Sequence, residues 1–340
     1  MRPVRRTVLW AGIVAGIAIA LVPGTALAVF SASPAVTAAA TAATISAPSG
    51  FTATTASTTT VNLSWTAPPT LTGYTLSQSS GTLAGCSATP SGTSCTATGL
   101  TSNTAYTWTL KAAYNNWLSS SVQASATTTA TVGFTLAGKA TDSTAGTSSS
   151  TATGVTTTSG AGLVILIYRQ GSSTAMGITS VSGSAISGIA AVITSQGTAV
   201  SGNYAVAAYR ATGSGSSNGA VTVSFSASNN VTTTIDVVQL SGANTASPIV
   251  QSAVNSSSSS GTTVTGAALS GASASDGELF FAVLTTTTSM STPTGYTVLD
   301  VPASAIHGLW GGSSASTAGI TTSLGASSYW GTMEIEINHS

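Results

Sequence analysis

The stretch GLTSNTAYTWTLKAAYNNW, residues 99–117, decides the fold. Within it Tyr106, Trp108, Leu110 and Ala112 occupy every second position, and Thr107, Thr109 and Lys111 fill the places between. Successive side chains of a β-strand point to opposite faces, so this period of two predicts a strand with one face in a core and the other in water. The same alternation runs through TVNLSW (60–65), with Val61, Leu63 and Trp65 in phase, and GYTLSQ (73–78), with Tyr74 and Leu76 in phase. The fold class this predicts is all-β.

Composition agrees. The chain has 340 residues, room for two ordinary domains and a leader, yet only 4% are charged. Beyond residue 30 no apolar run approaches the roughly 18 residues that a membrane-spanning helix needs. Serine, threonine, alanine and glycine take the space instead, and Thr and Val favour half-buried pleated surfaces. Solubility is then expected to come from hydroxyl groups rather than charges.

The chain opens MRPVRRTVLWAGIVAGIAIALVPGTALAVFS: a basic start, an apolar core from Val8 to Val22, a Pro23-Gly24 break, and small residues at Ala26 and Ala28. This predicts a signal peptide, residues 1–28, and a secreted protein, with an uncleaved membrane anchor as the alternative. The Ala28-Val29-Phe30-Ser31 junction resembles the A-x-F-S site of leaders cut by the SipW-type signal peptidase, a resemblance that implies an assembling surface protein. Residues 29–47 read as an Ala/Thr-rich linker. Arg2, Arg5 and Arg6 leave with the leader, so four of the seven basic residues remain against seven acidic ones. Nothing resembles the clustered basic patch that a phosphate backbone needs, which argues against a nucleic-acid partner.

Residues 46–129 resemble a fibronectin type III domain, with Pro48, Trp65, Tyr74 and the pair Leu100 and Tyr106 where that family places them. The resemblance implies an Ig-like sandwich over 48–129, with a tyrosine corner at Tyr106. Cys86 and Cys95 are the two cysteines of the chain, and export favours a disulfide between them. A metal pair or a reactive thiol is the alternative, weakened by the lack of any His, Asp or Glu between residues 30 and 141. Tyr114 and Trp117 fall in the loop where this family often presents binding residues. They are candidate binding aromatics, or else a cover for the edge of the core.

From residue 131 to 340 two sets of strand-like runs follow each other. AGLVILIYR (161–169), NYAVAAYR (203–210), GAVTVSF (219–225) and TTIDVVQL (233–240) form the first; DGELFFAVL (276–284), HGLWGG (307–312), AGITTSL (318–324) and TMEIEIN (332–338) form the second. Two four-strand units suggest one eight-stranded sandwich, and the pattern resembles a jelly-roll-like domain of bacterial extracellular proteins.

Catalytic chemistry finds little purchase. Glu334 and Glu336 share one face of a strand opposite Met333, Ile335 and Ile337, loosely as in laminarinase-like glycoside hydrolases, but the third acid is missing. A solubilising charge on a solvent face explains Glu336 more simply. His307 and His339 stand alone in the sequence, Asp276 and Glu278 read as a turn ahead of a calcium site, and Arg169 and Arg210 are free to pair with Asp236 or the later acids. No catalytic residue, cofactor or metal is assigned. Tyr209, Trp310, Tyr329 and Trp330 are candidates for a sugar-stacking platform, with core filling as the alternative. The sequence thus points to a secreted, non-enzymatic surface or matrix protein. Its expected partner is an extracellular protein, a polysaccharide surface or further copies of itself; a carbohydrate-binding accessory protein is the second reading and a hydrolase using Glu334 and Glu336 the third.

Overall fold

The computed structural model describes residues 44–142, 147–170, 177–199, 202–229, 232–302 and 305–340. The leader, 1–28, and the linker up to residue 43 lie outside the described residues. Every regular element among the described residues is a strand. β1 (Ser49–Thr55), β2 (Val61–Thr66), β3 (Gly73–Gln78), β4 (Ser94–Ala97), β5 (Ala105–Tyr114), β6 (Trp117–Leu118) and β7 (Val122–Thr127) come first. β8 (Gly133–Asp142), β9 (Thr147–Val155), β10 (Gly162–Gln170), β11 (Ile178–Ser182), β12 (Ile186–Ala199), β13 (Gly202–Gly213), β14 (Gly219–Asn229) and β15 (Thr233–Ser241) follow. β16 (Ile249–Ser256), β17 (Gly261–Thr265), β18 (Gly277–Thr288), β19 (Tyr296–Asp300), β20 (Ala305–Gly312), β21 (Thr321–Ser328) and β22 (Trp330–Ile337) complete the chain. No helix among the described residues is long and apolar enough to cross a membrane.

The chain divides into two compact units. The first takes the chain up to Thr54, Asn62–Thr98 and Tyr106–Ala126; the second takes Thr55–Val61, Gly99–Ala105 and Thr127–Ser340. In the first, one sheet runs β1-β2-β4 and the other β3-β5-β6, with β7 paired to β5. The expected alternation holds: β5 buries Tyr106, Trp108, Leu110 and Ala112 and leaves the residues between them partly exposed. Trp65 meets Phe51 and Tyr74 edge-on at 6.0 and 5.4 Å between ring centroids, and the Trp108 indole donates to Gln78 Oε1 at 3.0 Å. That bond matters because a buried N–H without a partner would cost more than the ring gains at its edge.

In the second unit the described residues carry fifteen strands, where the sequence suggested eight, and they form two sandwiches instead of one. The five-stranded sheet β12-β13-β10-β15-β8 backs onto β11-β14-β9, and the five-stranded sheet β19-β20-β18-β22-β16 backs onto β17-β21. The two five-stranded sheets repeat one strand order, β8 with β16, β10 with β18, β13 with β20 and β15 with β22 taking equivalent places. They also face each other. A single apolar cluster joins Val164, Leu166, Tyr168 and Val238 to Leu279, Phe281, Leu309, Met333 and Ile335 across the space between them. Each five-stranded sheet is therefore an inner layer covered on both faces, and this explains runs such as LVILIYR, in which every residue is buried and no alternation survives.

Replacing Phe281, buried in that shared layer, with alanine is expected to cost about 3 to 5 kcal/mol in urea unfolding. The exposed Val254→Ala should change the same measurement by under about 0.5 kcal/mol.

Candidate functional site

The first unit presents a groove. β5 and β6 form a tight hairpin, Tyr114 paired with Trp117, with Asn115 in the left-handed region at φ 52°, a conformation asparagine tolerates better than most residues. Beside the hairpin, between it, the Leu71–Thr75 segment and Thr89–Ser91, lies a cavity of about 560 Å³. Its polar lining is hydroxyl and amide, from Thr72, Thr75, Thr89, Ser91, Asn115 and Asn116, and no charged side chain lines it. Tyr114 and Trp117 are 42% and 40% exposed, and Leu118 is exposed beside them. Both candidate aromatics of this unit are thus on the surface; the hairpin that carries them lines the cavity with Ala113, Asn115, Asn116 and Leu118, and neither ring is part of the lining.

One wall of the groove is held from behind. Cys86 and Cys95 are joined in a disulfide that closes the loop carrying Thr89–Ser91, so the bridge anticipated from sequence is formed. Backbone bonds from Leu76 N to Ala88 O, 2.8 Å, and from Trp65 N to Thr93 O, 2.9 Å, tie the two ends of that loop to the sandwich.

The aromatics of the second unit are placed otherwise than a sugar platform requires. Trp310 is fully buried and stacks on Phe280 at 5.3 Å, and Trp330 is buried in the same cluster. Tyr209 and Tyr329 are half-buried and pack against the cores. The expectation that one of Tyr329 and Trp330 stands clear of the core fails because their sheet is an inner layer.

The same burial overturns the reading of the acids. Glu334 and Glu336 do share a face opposite Met333, Ile335 and Ile337, but that face is covered by β17, β21 and their loops, so Glu336 is no solvent-facing charge. Glu336 accepts from Gln251 Nε2 at 2.6 Å and Ser273 N at 2.8 Å. Glu334 accepts from Ile320 N at 3.0 Å, and Gly266 passes so close that a Cβ there would run into the carboxylate. Glu278, opposite Glu336 in register, accepts from the Tyr296 hydroxyl at 2.6 Å and Ser316 N at 3.0 Å. Burial pushes Glu334 up to about 8, only partly offset by the Ile320 amide, and the neighbouring Glu278 adds to the rise. Burial likewise raises Glu278, against the pull of Tyr296 and Ser316. These three carboxyls are structural caps for loop amides and side chains, sealed from any substrate.

Neither histidine is alone. His339 pairs through its ring with Asp276, which also accepts the His339 backbone N–H at 3.0 Å; Asp276 and Glu278 therefore face separate protein partners. His307 Nε2 lies 3.2 Å from Asp300 Oδ2 and 3.8 Å from Asp236 Oδ2, and Lys139 Nζ holds Asp300 Oδ1 at 2.8 Å. Asp236 thus faces His307, whereas the Arg169 guanidinium lies over the Phe225 ring at 4.0 Å. Burial pushes Asp236 up to about 7 despite His307. Burial also acts to raise Asp300, but His307 and Lys139 outweigh it and hold the group below its ordinary value. Sequence spacing could not find this cluster, because its members come from four strands; the signal available was an acid inside the otherwise apolar run TTIDVVQL.

Residues 46–128 match the family described as Fibronectin type III domain. Two solved structures are similar to this fibronectin type III region. "Crystal Structure of FN3tt" is 26% identical, covering 24% of this chain and 91% of that one with a TM-score of 0.22. "Structure of FN3tt mut" is 25% identical, covering 24% and 97%, with a TM-score of 0.21. Among curated proteins no match is found.

Removing the bridge by Cys86→Ala with Cys95→Ala is expected to cost the fibronectin type III region roughly 2.5 to 3 kcal/mol in chemical denaturation, the entropy of freeing a loop of that size. Glu334 makes a second prediction. The folded chain keeps its proton up to about pH 8, while the unfolded chain releases it near 4.5, so the stabilisation is complete below pH 4.5 and is lost as pH rises through 8. The urea midpoint should fall between pH 5 and 9, and Glu334→Gln should flatten that fall.

Proposed function

We propose that the chain is a secreted, non-enzymatic protein of the cell surface or extracellular matrix, and that its fibronectin type III domain binds a neutral, hydroxyl-rich polymer in the groove beside Trp117. The observation that carries this reading is that one hairpin exposes Tyr114 and Trp117 and, through Ala113, Asn115, Asn116 and Leu118, lines an uncharged concavity of hydroxyls and amides; ring faces stack on sugar faces and amides bond sugar hydroxyls without desolvating a charge. The disulfide supports both export and a pre-set groove wall, and the signal peptide expected at 1–28 supports the same compartment. Nested strand order, with β15 between β8 and β10 and β22 between β16 and β18, supports the jelly-roll-like reading of the second unit, now as two copies rather than one.

A hydrolase centred on Glu334 and Glu336 is not favoured. Retaining chemistry needs two carboxyls open to a glycosidic bond, and these two are buried under backbone that they themselves hold in place.

A panel of insoluble polysaccharides, scored for protein retained and for reducing ends released, tests the proposal. Retention on at least one polymer with no release is expected, and Trp117→Ala or Tyr114→Ala should weaken it by roughly fivefold, the worth of one stacked ring. Failure to bind any polysaccharide or wall preparation, or retention unchanged in both variants, would count against the groove.

A further inference from the structure

Six of the seven acidic residues, Asp236, Asp276, Glu278, Asp300, Glu334 and Glu336, are buried, which reverses the usual placement of charge. Five of them meet protein donors or a close cation. Asp236 does not. It is 0% exposed, and neither of its carboxylate oxygens meets a hydrogen-bond donor. Its close neighbours are His307 Nε2, at 3.8 Å, and the Asp300 carboxyl, which adds to the rise of its pKa; His307 Nδ1 also lacks a protein partner, so the imidazole is held chiefly by the two carboxylates on its Nε2 side. We propose that Asp236, Asp300 and His307 bind one divalent transition-metal ion, Zn²⁺ by the donor set, in the layer between the two five-stranded sheets.

The geometry suits the ion. Donors at about 2.0 to 2.2 Å from a tetrahedral Zn²⁺ stand about 3.4 Å from one another, and the His307 Nε2 distances of 3.2 and 3.8 Å to the two carboxylates bracket that edge. One oxygen or nitrogen from each of the three residues lies within 4.8 Å of the other two. Two carboxylates and a neutral imidazole cancel the double charge of the ion, which removes the cost of an unpaired buried carboxylate. Lys139 pairs with Asp300 through Oδ1 and leaves Oδ2 for the metal; its side chain, 53% exposed, marks the route in from solvent.

The internal repeat shows that the fold itself does not ask for these residues. Asp236 pairs in register with Leu166, four residues after Gly162; the residue paired with Phe281, four after Gly277, is Met333. His307 pairs with Val283, six after Gly277; the residue paired with Tyr168, six after Gly162, is Val206. Asp236 and His307 thus each stand where the other copy has an apolar side chain in the shared core. β15 supplies Asp236 from one sheet, and β19 and β20 supply Asp300 and His307 from the other, so the ion would tie the two sandwiches together.

Isothermal titration of Zn²⁺ into the full chain, stripped with chelator and free of any affinity tag, tests this. One equivalent per chain is expected, with a higher melting temperature in its presence. Asp236→Asn and His307→Gln should each weaken binding by about 100-fold or more and abolish the thermal gain. His339→Ala, which removes the other histidine, should leave the equivalent in place. Lys139→Ala, a change at a half-exposed side chain, should retain or tighten binding, because it frees the second oxygen of Asp300; it serves if either core variant fails to fold. Co²⁺ in place of Zn²⁺ should give a visible absorption band that His307→Gln loses. No uptake of either ion by the folded chain, or uptake unchanged in Asp236→Asn and His307→Gln, would overturn the proposal.

Discussion

The second unit depends on one packing decision: two five-stranded sheets lie face to face and share a single apolar layer, so neither keeps a face for water. The consequences spread outward. β22 is buried along its whole length, β18 from Gly277 to Leu284 and β10 from Leu163 to Arg169, and any polar group on these stretches must find its partner inside. Glu278, Glu334 and Glu336 do so by accepting loop amides and side-chain donors, which fixes the covering loops of β17 and β21. An open sheet would have left these same groups to solvent, with no such leverage.

This decision also separates what could be read in the sequence from what could not. In the first unit each sheet has one core face, so the alternation around Trp65 and Trp108 translates directly into burial. In the second unit the central strands of the inner sheets, β10, β13, β15, β18, β20 and β22, were legible as strands, and the order of the two sets was legible as a repeat, because runs such as LVILIYR and ELFFAVL are too apolar to be anything but core. Of the outer strands, β14 and β21 were legible too, as GAVTVSF and AGITTSL, but the others were not. β9, β11 and β17 are Ser, Thr and Gly with scattered Val or Ala, a composition shared with turns, and their identity as strands comes from the partners they cover. The faces of Glu334 and Glu336 were misjudged for the same reason: a period of two says which residues share a face but not whether a second sheet lies over it.

At the candidate site the division is similar. Cys86 and Cys95, nine apart in a chain with an expected leader, were legible as a bridge, whereas Tyr114 and Trp117 were legible only as loop aromatics, presented for binding or covering the core edge; the structure leaves them 42% and 40% exposed. The groove beside them was not legible, since its walls come from three separated segments. For Trp310 and Trp330 the core-filling alternative holds over the platform.

Charge and solubility are thereby uncoupled in this chain. Six acids lie inside, and the outer faces are dressed with hydroxyls that bond to one another across strands: Thr52 with Ser64 at 2.8 Å, Thr107 with Ser125 at 2.8 Å, Thr151 with Thr222 at 3.0 Å. Such cross-strand pairs give small, additive support and fix register without a field that salt could screen. The same hydroxyl and amide chemistry lines the cavity beside the β5–β6 hairpin, with no charged side chain in it.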